Sequence, residues 1–248
     1  MRRQYTVANE IDKLRKFIEE SNRIVFFGGA GASTESGIPD FRSSDGLYNT
    51  KYKYPPETIV SKEFFESNPA EFYRFYKEKM LFPDAEPNFA HQYLAELEKE
   101  GKLKEVITQN IDGLHQKAGS EDVLELHGSA LRNHCTTCGK FYGMDSILQA
   151  DGIPHCPKCG GIIKPDVTLY GEDLPDGVMD EAIKYVSEAD MLIIGGTSLS
   201  VYPAAFLVNY YKGSRLVLIN MSSTKADSYA DLVIHGKIGE VFKRVKAK

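Results

Sequence analysis

The sequence of 248 residues has no tryptophan, no long apolar run and no surplus of basic residues. The apolar stretch Met191–Ile194, followed by two glycines, is far shorter than the ~20 residues that a membrane-spanning helix needs. Thirty Lys and Arg against 35 Asp and Glu give a formal charge of −5. No membrane span is therefore expected. Direct nucleic-acid binding is not expected either, because binding through phosphates usually needs a basic surplus.

Cysteine is also scarce, with only four residues in the chain. The segment Met1–Tyr5 leads into charged residues without the apolar region of a signal peptide, so a cytoplasmic location is the default expectation. Thiols stay reduced there, which favours metal binding or reactivity over disulfides. The composition is otherwise that of a globular protein, and the length suits one large domain, with or without a small inserted one.

The four cysteines form two CxxC pairs, Cys135 with Cys138 and Cys156 with Cys159, separated by 17 residues. Two such pairs complete a tetrahedral thiolate shell for one Zn²⁺. Redox disulfides are the alternative, which the compartment disfavours. Since all four positions are cysteine, no position stays open for catalysis, and the predicted zinc is structural.

Apolar runs alternate with helical stretches along most of the chain. The helical stretches lie near 88–100 and 176–188, and a further amphipathic helix opens the chain. Continuous apolar runs are typical of strands buried in a parallel sheet, so the pattern predicts a doubly wound, Rossmann-like α/β fold with ligands at the carboxyl ends of its strands. The runs are Ile24–Phe27, Val106–Thr108, Met191–Ile194, Leu216–Ile219 and Leu232–Ile234.

Two segments interrupt this alternation. Residues 43–87 are rich in Tyr, Phe and Pro with a helical pattern near 67–81, and residues 130–165 hold all four cysteines. We predict that the first is an inserted helical module and the second a zinc-ribbon module. The stretches 1–42, 88–129 and 166–248 then form the sheet domain.

A glycine-containing turn, Gly29–Thr34, follows the first predicted strand. Glycines at a βα turn let backbone N–H groups approach a pyrophosphate, although a tight structural turn explains this motif about equally well. The third glycine of the dinucleotide fingerprint is replaced by Thr34, and no acid is evident for the ribose hydroxyls. A hydride-transferring dehydrogenase is therefore a poor fit.

Polar and glycine residues follow the other predicted strands as well. Parallel strands end at one edge of a sheet, so we expect these segments to converge on one site. They are Gly37–Arg42, Gln109–His115, Glu125–Gly128, Gly195–Leu199 and Asn220.

From about Ile24 to Asn220 the chain resembles the sirtuins, the NAD-dependent protein lysine deacylases. The resemblance rests on six ordered motifs: GAGAS, GIPDFR, TQNIDGLH, LHG, the two CxxC pairs and GTSL. It implies an NAD-binding α/β domain with a smaller zinc-ribbon and helical part, and an acylated peptide bound in the cleft between them.

The resemblance also implies roles for individual residues. His127 is expected to be the general base, with Asn110 and Asp112 beside the nicotinamide and its ribose. The expected peptide segment, which pairs with the substrate backbone as an added strand, is Val167, Thr168, Leu169, Tyr170 and Gly171. The expected NAD contacts are Ala30, Gly31, Thr34, Asp40, Phe41, Arg42, Gln109, Asn110, Ile111, Asp112, His127, Gly196, Thr197, Ser198, Asn220, Lys237 and Ile238.

Two positions depart from the family pattern. Gly28 stands where the family commonly has Thr, which we expect to be tolerated. Family members that prefer succinyl or malonyl groups carry a Tyr-x-x-Arg pair, and the matching segment Tyr73–Tyr76 lacks the arginine. Burying an acyl carboxylate without a charge partner is costly, so an uncharged group, most simply acetyl, is expected.

The reaction that the resemblance implies converts acetyl-lysine and NAD to lysine, nicotinamide and 2′-O-acetyl-ADP-ribose. A protein mono-ADP-ribosyltransferase that uses the same pocket is the first alternative. A zinc-ribbon nucleic-acid-binding module, disfavoured by the charge, is the second. The protein substrates and the oligomeric state are left open.

Overall fold

The computed structural model of the chain describes residues 2–43, 46–49 and 52–247, with side chains from residue 9 onward. Residues 44, 45, 50 and 51 of the predicted helical insertion, and both terminal residues, lie outside this part. The helices and strands are α1 Arg2–Glu20, β1 Ile24–Gly28, α2 Pro56–Ile59, α3 Lys62–Ser67, α4 Pro69–Lys79, α5 Phe89–Lys99, β2 Leu103–Thr108, α6 Leu114–Lys117, β3 Val123–Glu125, β4 Gly128–Cys135, β5 Phe141–Tyr142, α7 Asp145–Leu148, β6 Ile163–Val167, α8 Val178–Glu188, β7 Met191–Gly195, β8 Leu216–Asn220, β9 Leu232–His235 and α9 Ile238–Lys246.

The larger sheet is parallel throughout and has the strand order β3-β2-β1-β7-β8-β9. The chain runs outward from β1 to one edge and then returns to build the other half, which is the order of the doubly wound nucleotide-binding sheet. The predicted fold class is therefore confirmed. The direction changes beside β1, so the strand ends of β1, β2 and β7 flank the crevice where such sheets bind ligands.

Alternate residues of the buried strands face two separate hydrophobic layers. Phe26 and Ile193 pack with α1, α5 and α9 on one face of the sheet. Phe27 and Ile194 pack on the other face with α8 and with a 3₁₀ helix at Ala204–Tyr210. Because β1, β7 and β8 are buried along their whole lengths, they contain almost only apolar residues, which is why the sequence pattern identified them.

The edge of the sheet differs from the sequence-based prediction in two places. Strand β2 begins at Leu103 rather than Val106, because the buried carboxyl group of Glu105 interrupts its apolar run. Strand β3 was missed altogether, since it is three residues long and only half-buried. Its parallel pairing with β2 nevertheless leads the chain from the edge of the sheet to His127.

A second, antiparallel sheet of three strands has the order β5-β4-β6. It shares a hydrophobic core with helices α2, α3 and α4, in which Phe72, Tyr73 and Phe75 are fully buried. Cys135 and Cys156 belong to the same core. The two predicted insertions therefore pack together on one side of the larger sheet's carboxyl edge.

Among the described helices, none combines the length and the apolar composition that a bilayer span requires.

Candidate active site

A cleft of about 660 Å³ opens at the carboxyl ends of β1, β2, β7 and β8. Its other walls come from the segment after β6 and from the helical part at Val60, Tyr76 and Met80. Every residue that the sequence analysis assigned to NAD or to the peptide lies on its surface. These residues are Ala30, Gly31, Thr34, Asp40, Phe41, Arg42, Gln109, Asn110, Ile111, Asp112, His127, Val167, Thr168, Leu169, Tyr170, Gly171, Gly196, Thr197, Ser198, Asn220, Lys237 and Ile238.

The turns after β1 and β7 form the floor of the cleft and lie directly against each other. The N–H of Gly31 donates to the carbonyl of Gly196 at 2.8 Å. A Cβ on Gly31 would come 2.6 Å from the Gly196 Cα, and a Cβ on Gly196 would come 2.4 Å from the Ala32 nitrogen. Gly196 also has a positive φ of 63°. Only glycine fits at either position, so the motif closes the gap between two strand ends while keeping the floor free of side chains.

The departure at Gly28 also has a packing explanation. A Cβ there would lie 2.5 Å from a ring carbon of Phe26, which is fully buried in the same strand. A threonine would therefore require the Phe26 ring to move, whereas glycine accommodates the large ring.

Amide side chains hold the end of the cleft formed by β7 and β8. The side-chain oxygen of Asn220 accepts from the Thr197 N–H at 3.0 Å, and Gln109 donates to the Thr197 hydroxyl at 2.9 Å. The Asn220 Nδ2 is buried and has no hydrogen-bond partner among the described residues. A buried amide donor without a partner is costly unless a ligand accepts from it, so this end of the cleft fits a polar, hydrogen-bonding group.

Ser33 lies at the centre of a buried hydrogen-bond network. Its hydroxyl donates to the Asp112 carboxylate at 2.7 Å and accepts from the Asn110 amide at 3.0 Å. The His91 Nε2 lies 3.5 Å from the same hydroxyl, while its Nδ1 accepts from the Asn88 N–H at 3.2 Å. Burial lowers the pKa of His91 to about 4, so the ring is neutral and carries its proton on Nε2. The network holds Asn110 and Asp112 in one orientation.

Sequence reasoning missed both Ser33 and His91. Ser33 lies between Gly31 and Thr34, two expected NAD contacts, so its position in the glycine motif could have identified it. His91 stands on α5, which has no recognisable site motif. The Asn88 side chain, at the start of α5, donates to the Ala32 carbonyl at 2.8 Å and so holds this end of the helix beside Ser33. His115 is fully buried 4.7 Å from the His91 ring, and burial lowers its pKa to about 3. Its neutral ring also packs against Phe26, with the ring centres 5.9 Å apart.

His127 stands on the cleft between β3 and β4. Its Nδ1 lies 3.0 Å from the carbonyl oxygen of Gln109. A carbonyl can only accept, so Nδ1 carries the proton and the neutral ring keeps a lone pair on Nε2. Burial lowers the pKa of His127, an effect that the bond to Gln109 partly opposes. The imidazole is therefore neutral at pH 7 and able to accept a proton.

The expected peptide segment begins at Val167, the last residue of β6, and its backbone N–H groups are hydrogen-bonded to neighbouring parts of the chain. The Thr168 N–H donates to the His127 carbonyl at 3.0 Å, and the Leu169 N–H donates to the Glu172 carboxylate at 2.9 Å. The Tyr170 N–H donates to the Val60 carbonyl at 3.0 Å. The segment thus runs along the cleft from His127 to the helical part, and these hydrogen bonds hold its backbone in place.

Helix α4 supplies part of the cleft wall. The Tyr73 hydroxyl donates to the carbonyl of Ile163 at 2.7 Å, inside the core of the smaller part. Tyr76, at the place where an arginine would stand in a succinyl-preferring relative, lines the cleft with an uncharged ring. This wall offers no guanidinium for a carboxylate at that position.

The four cysteine sulfurs lie within 4.8 Å of one another. The separation is 3.4 Å between Cys135 and Cys159 and 3.8 Å between Cys138 and Cys156. Sulfurs placed tetrahedrally about 2.3 Å from a zinc ion are about 3.8 Å apart, so the geometry fits Zn²⁺. The Tyr142 hydroxyl lies 2.9 Å from the Cys156 sulfur, where it can donate to a thiolate.

Comparison with known proteins agrees with this arrangement. The model of the Sir2 family matches residues 29–203. The chain belongs to the Sir2 family. An NAD-dependent protein deacetylase of Clostridium perfringens (strain 13 / Type A) is 60% identical over 240 residues, which cover 96% of this chain and 98% of that protein.

Solved structures of Sir2 proteins are similar over almost the whole chain. One, with a deacetylated p53 peptide and 3′-O-acetyl ADP-ribose, has a TM-score of 0.88 and 41% identity and covers 95% of this chain and 96% of its own. Another, with a p53 peptide and NAD⁺, has a TM-score of 0.84 and 42% identity and covers 94% of this chain and 95% of its own. The family membership thus extends to both the large sheet and the smaller part.

Proposed function

We propose that this chain is an NAD-dependent protein-lysine deacetylase that converts acetyl-lysine and NAD to lysine, nicotinamide and 2′-O-acetyl-ADP-ribose. The observation that carries the proposal is the single cleft in which the glycine floor, the Ser33 network and the lone pair of His127 meet. The deacetylase relative and the peptide- and nucleotide-bound Sir2 structures support it.

The residues present fit NAD along the floor of the cleft. The glycine turn leaves room for a diphosphate, Arg42 provides a positive charge beside it, and the Asn220 Nδ2 is a free donor at the β8 end for the adenosine half. Bound NAD would supply a nicotinamide group that is already cationic and leaves the ribose carbon open to the acyl oxygen. Asn110 and Asp112 are oriented to hold the nicotinamide and its ribose at that point.

His127 acts as the general base through Nε2. With Nδ1 bonded to Gln109, the ring is held in the tautomer that accepts a proton from a ribose hydroxyl. Phe41 lies on the cleft where it can cover the reacting groups and exclude water. Because burial lowers its pKa, the base is unprotonated at neutral pH.

The acylated lysine enters beside Val167–Gly171 and against the wall formed by α4. An uncharged acyl group suits the part of this wall formed by Tyr76, because the phenol ring offers no positive charge to pair with a buried carboxylate. Zinc, held by the four thiolates, is structural and stabilises the part of the protein that shapes this wall.

We also propose how the chain divides into domains and where in the cell the protein acts. The NAD-binding domain comprises 1–42, 88–129 and 166–248, the helical module 43–87 and the zinc-ribbon module 130–165. A cytoplasmic location is part of the proposal because the four thiols would stay reduced there.

The test is to incubate the purified protein with NAD and an acetyl-lysine peptide, with the unmodified peptide as control. We expect nicotinamide release only with the acetylated peptide, in step with loss of the acetyl group. A peptide that gains ADP-ribose and keeps its acetyl group would instead indicate the transferase. Salt-sensitive nucleic-acid binding without NAD consumption would indicate the zinc-ribbon module.

A further inference from the structure

The hydroxyl groups of Tyr48 and Tyr170 lie 2.8 Å apart at the cleft. Tyr48 belongs to the 3₁₀ turn Leu47–Asn49, which follows the expected NAD contacts. Tyr170 belongs to the expected peptide segment. This hydrogen bond therefore joins the side of the cleft that faces NAD to the side that faces the peptide.

Tyr48 is closely tied to two of the expected NAD contacts. Its N–H donates to the Phe41 carbonyl at 2.9 Å, and the two rings are 5.4 Å apart. The Arg42 guanidinium lies 5.3 Å from the centre of the Tyr48 ring. A displacement of Tyr48 would therefore displace both side chains over the cleft.

Tyr170 is fixed from the opposite side. Its N–H donates to the Val60 carbonyl at 3.0 Å, and its carbonyl accepts from the Lys62 N–H at 2.9 Å. Both backbone groups of Tyr170 are thus held by the helical part. Its hydroxyl is the group that reaches across to Tyr48.

We propose that the Tyr48–Tyr170 pair is a positioning device that couples the binding of the acylated peptide to the binding of NAD, an inference that rests on the proposed function. The backbone of Tyr170 is already held, but its side chain is 42% exposed, and a peptide that pairs along Val167–Gly171 would cover that side chain and keep its hydroxyl directed at Tyr48. The hydroxyl bond then favours the arrangement in which Tyr48 keeps Phe41 and Arg42 over the nucleotide. The coupling is reciprocal, so NAD tightens peptide binding by the same factor.

The size and pH dependence of the coupling follow from the bond. One neutral hydrogen bond corresponds to a change of about fivefold in an equilibrium constant. Burial, together with the bond to Tyr170, raises the pKa of Tyr48 well above its ordinary value. The Tyr48 hydroxyl therefore stays protonated at neutral and lower pH, where it can donate to Tyr170.

The experiment measures the dissociation constant of ADP-ribose by calorimetry, with and without a saturating acetyl-lysine peptide. ADP-ribose is the probe because it leaves no nicotinamide to release. In the wild-type protein the peptide should tighten ADP-ribose binding about fivefold. Tyr48→Phe and Tyr170→Phe should each bring that factor close to one, and the double variant should lose no more than either single variant.

The matched control is Tyr52→Phe. This substitution removes a hydroxyl that donates to Glu78 at 3.0 Å, away from the cleft. The control should keep the full coupling factor, which separates coupling from a general effect of losing a tyrosine hydroxyl.

Coupling that survives in both single variants, or losses that add in the double variant, would overturn the inference while leaving the deacetylase proposal intact. A wild-type protein that binds ADP-ribose without any effect of the peptide would overturn it as well. Failure of the wild-type protein to bind ADP-ribose would count against the proposed function itself.

Discussion

The two sheets of the molecule reach stability by different means. The parallel sheet lies between two hydrophobic layers, and its strands β1, β7 and β8 are buried from end to end. In the antiparallel sheet, β5 has two residues and the register of β4 with β6 is interrupted between Ser129 and Asn133. The parallel sheet is stabilised by its two hydrophobic layers, so the carboxyl ends of its strands can carry polar residues. The antiparallel sheet is too small for such a core and depends on packing against α2–α4 and on its four cysteines.

The largest expected effect is therefore removal of zinc from the antiparallel part. Structural zinc contributes roughly 10 kcal/mol in small zinc-binding domains. A chelator, or Cys156→Ala, should abolish hydrogen-exchange protection in β4–β6 while β1 and β7 stay protected. Lys158→Ala, an exposed change within the same CxxC knuckle as Cys156, should retain protection in both sheets. If β4–β6 stayed protected without metal, the antiparallel sheet would not depend on zinc for its stability.

The next effect concerns the rim of the parallel sheet. His127→Ala removes the base but no core contact, so kcat/KM should fall by about 10²–10⁴-fold with little change in melting temperature. A loss smaller than about tenfold would exclude Nε2 of His127 as the proton acceptor.

The pH profile of the wild-type enzyme sharpens this point. The base works only when neutral, and its pKa is lowered by burial, so neutral imidazole persists below the ordinary histidine value. The acidic limb of kcat/KM should therefore lie below pH ~6.5 and be absent from the residual activity of His127→Ala. An acidic limb above that value would contradict the geometry assigned to the ring.

The last prediction concerns a buried carboxyl group in the parallel sheet and affects stability, not turnover. Burial, with the nearby Asp122 and Glu181, raises the pKa of Glu105 to about 8. This carboxyl group is protonated in the folded state at neutral pH and ionises on unfolding. Stability should therefore fall as the pH rises from about 4.5 to about 8, by at most ~1.4 kcal/mol per pH unit.

Glu105→Gln should remove that slope and make the protein more stable than the wild type at pH 8. Thermal melts from pH 5 to about 9 would measure it. Parallel curves for the two proteins would mean that Glu105 is ionised in the folded state.

The parallel sheet could be predicted from the sequence, except for its strand β3 and the start of β2. Buried strands such as β7 contain little but apolar residues, and the carboxyl ends of parallel strands must share an edge. Local sequence therefore predicted both the sheet and the residues on its rim. It did not predict β3, whose half-buried residues have no clear alternation, or the start of β2, where Glu105 breaks the apolar run.

Tertiary contacts explain what was missed within the site. Ser33 and His91 are 58 positions apart and meet only because α5 packs beside the turn after β1. The Tyr48–Tyr170 bond joins residues 122 positions apart on opposite sides of the cleft. No periodicity or residue spacing in a single sequence predicts either of these two contacts.

The most direct test of the central claim is the mass of the nucleotide product formed from NAD and an acetyl-lysine peptide. If the cleft brings the ribose, the acyl group and His127 together, nicotinamide and acetylated ADP-ribose should form in equal amounts. Free acetate beside unchanged NAD would contradict the account.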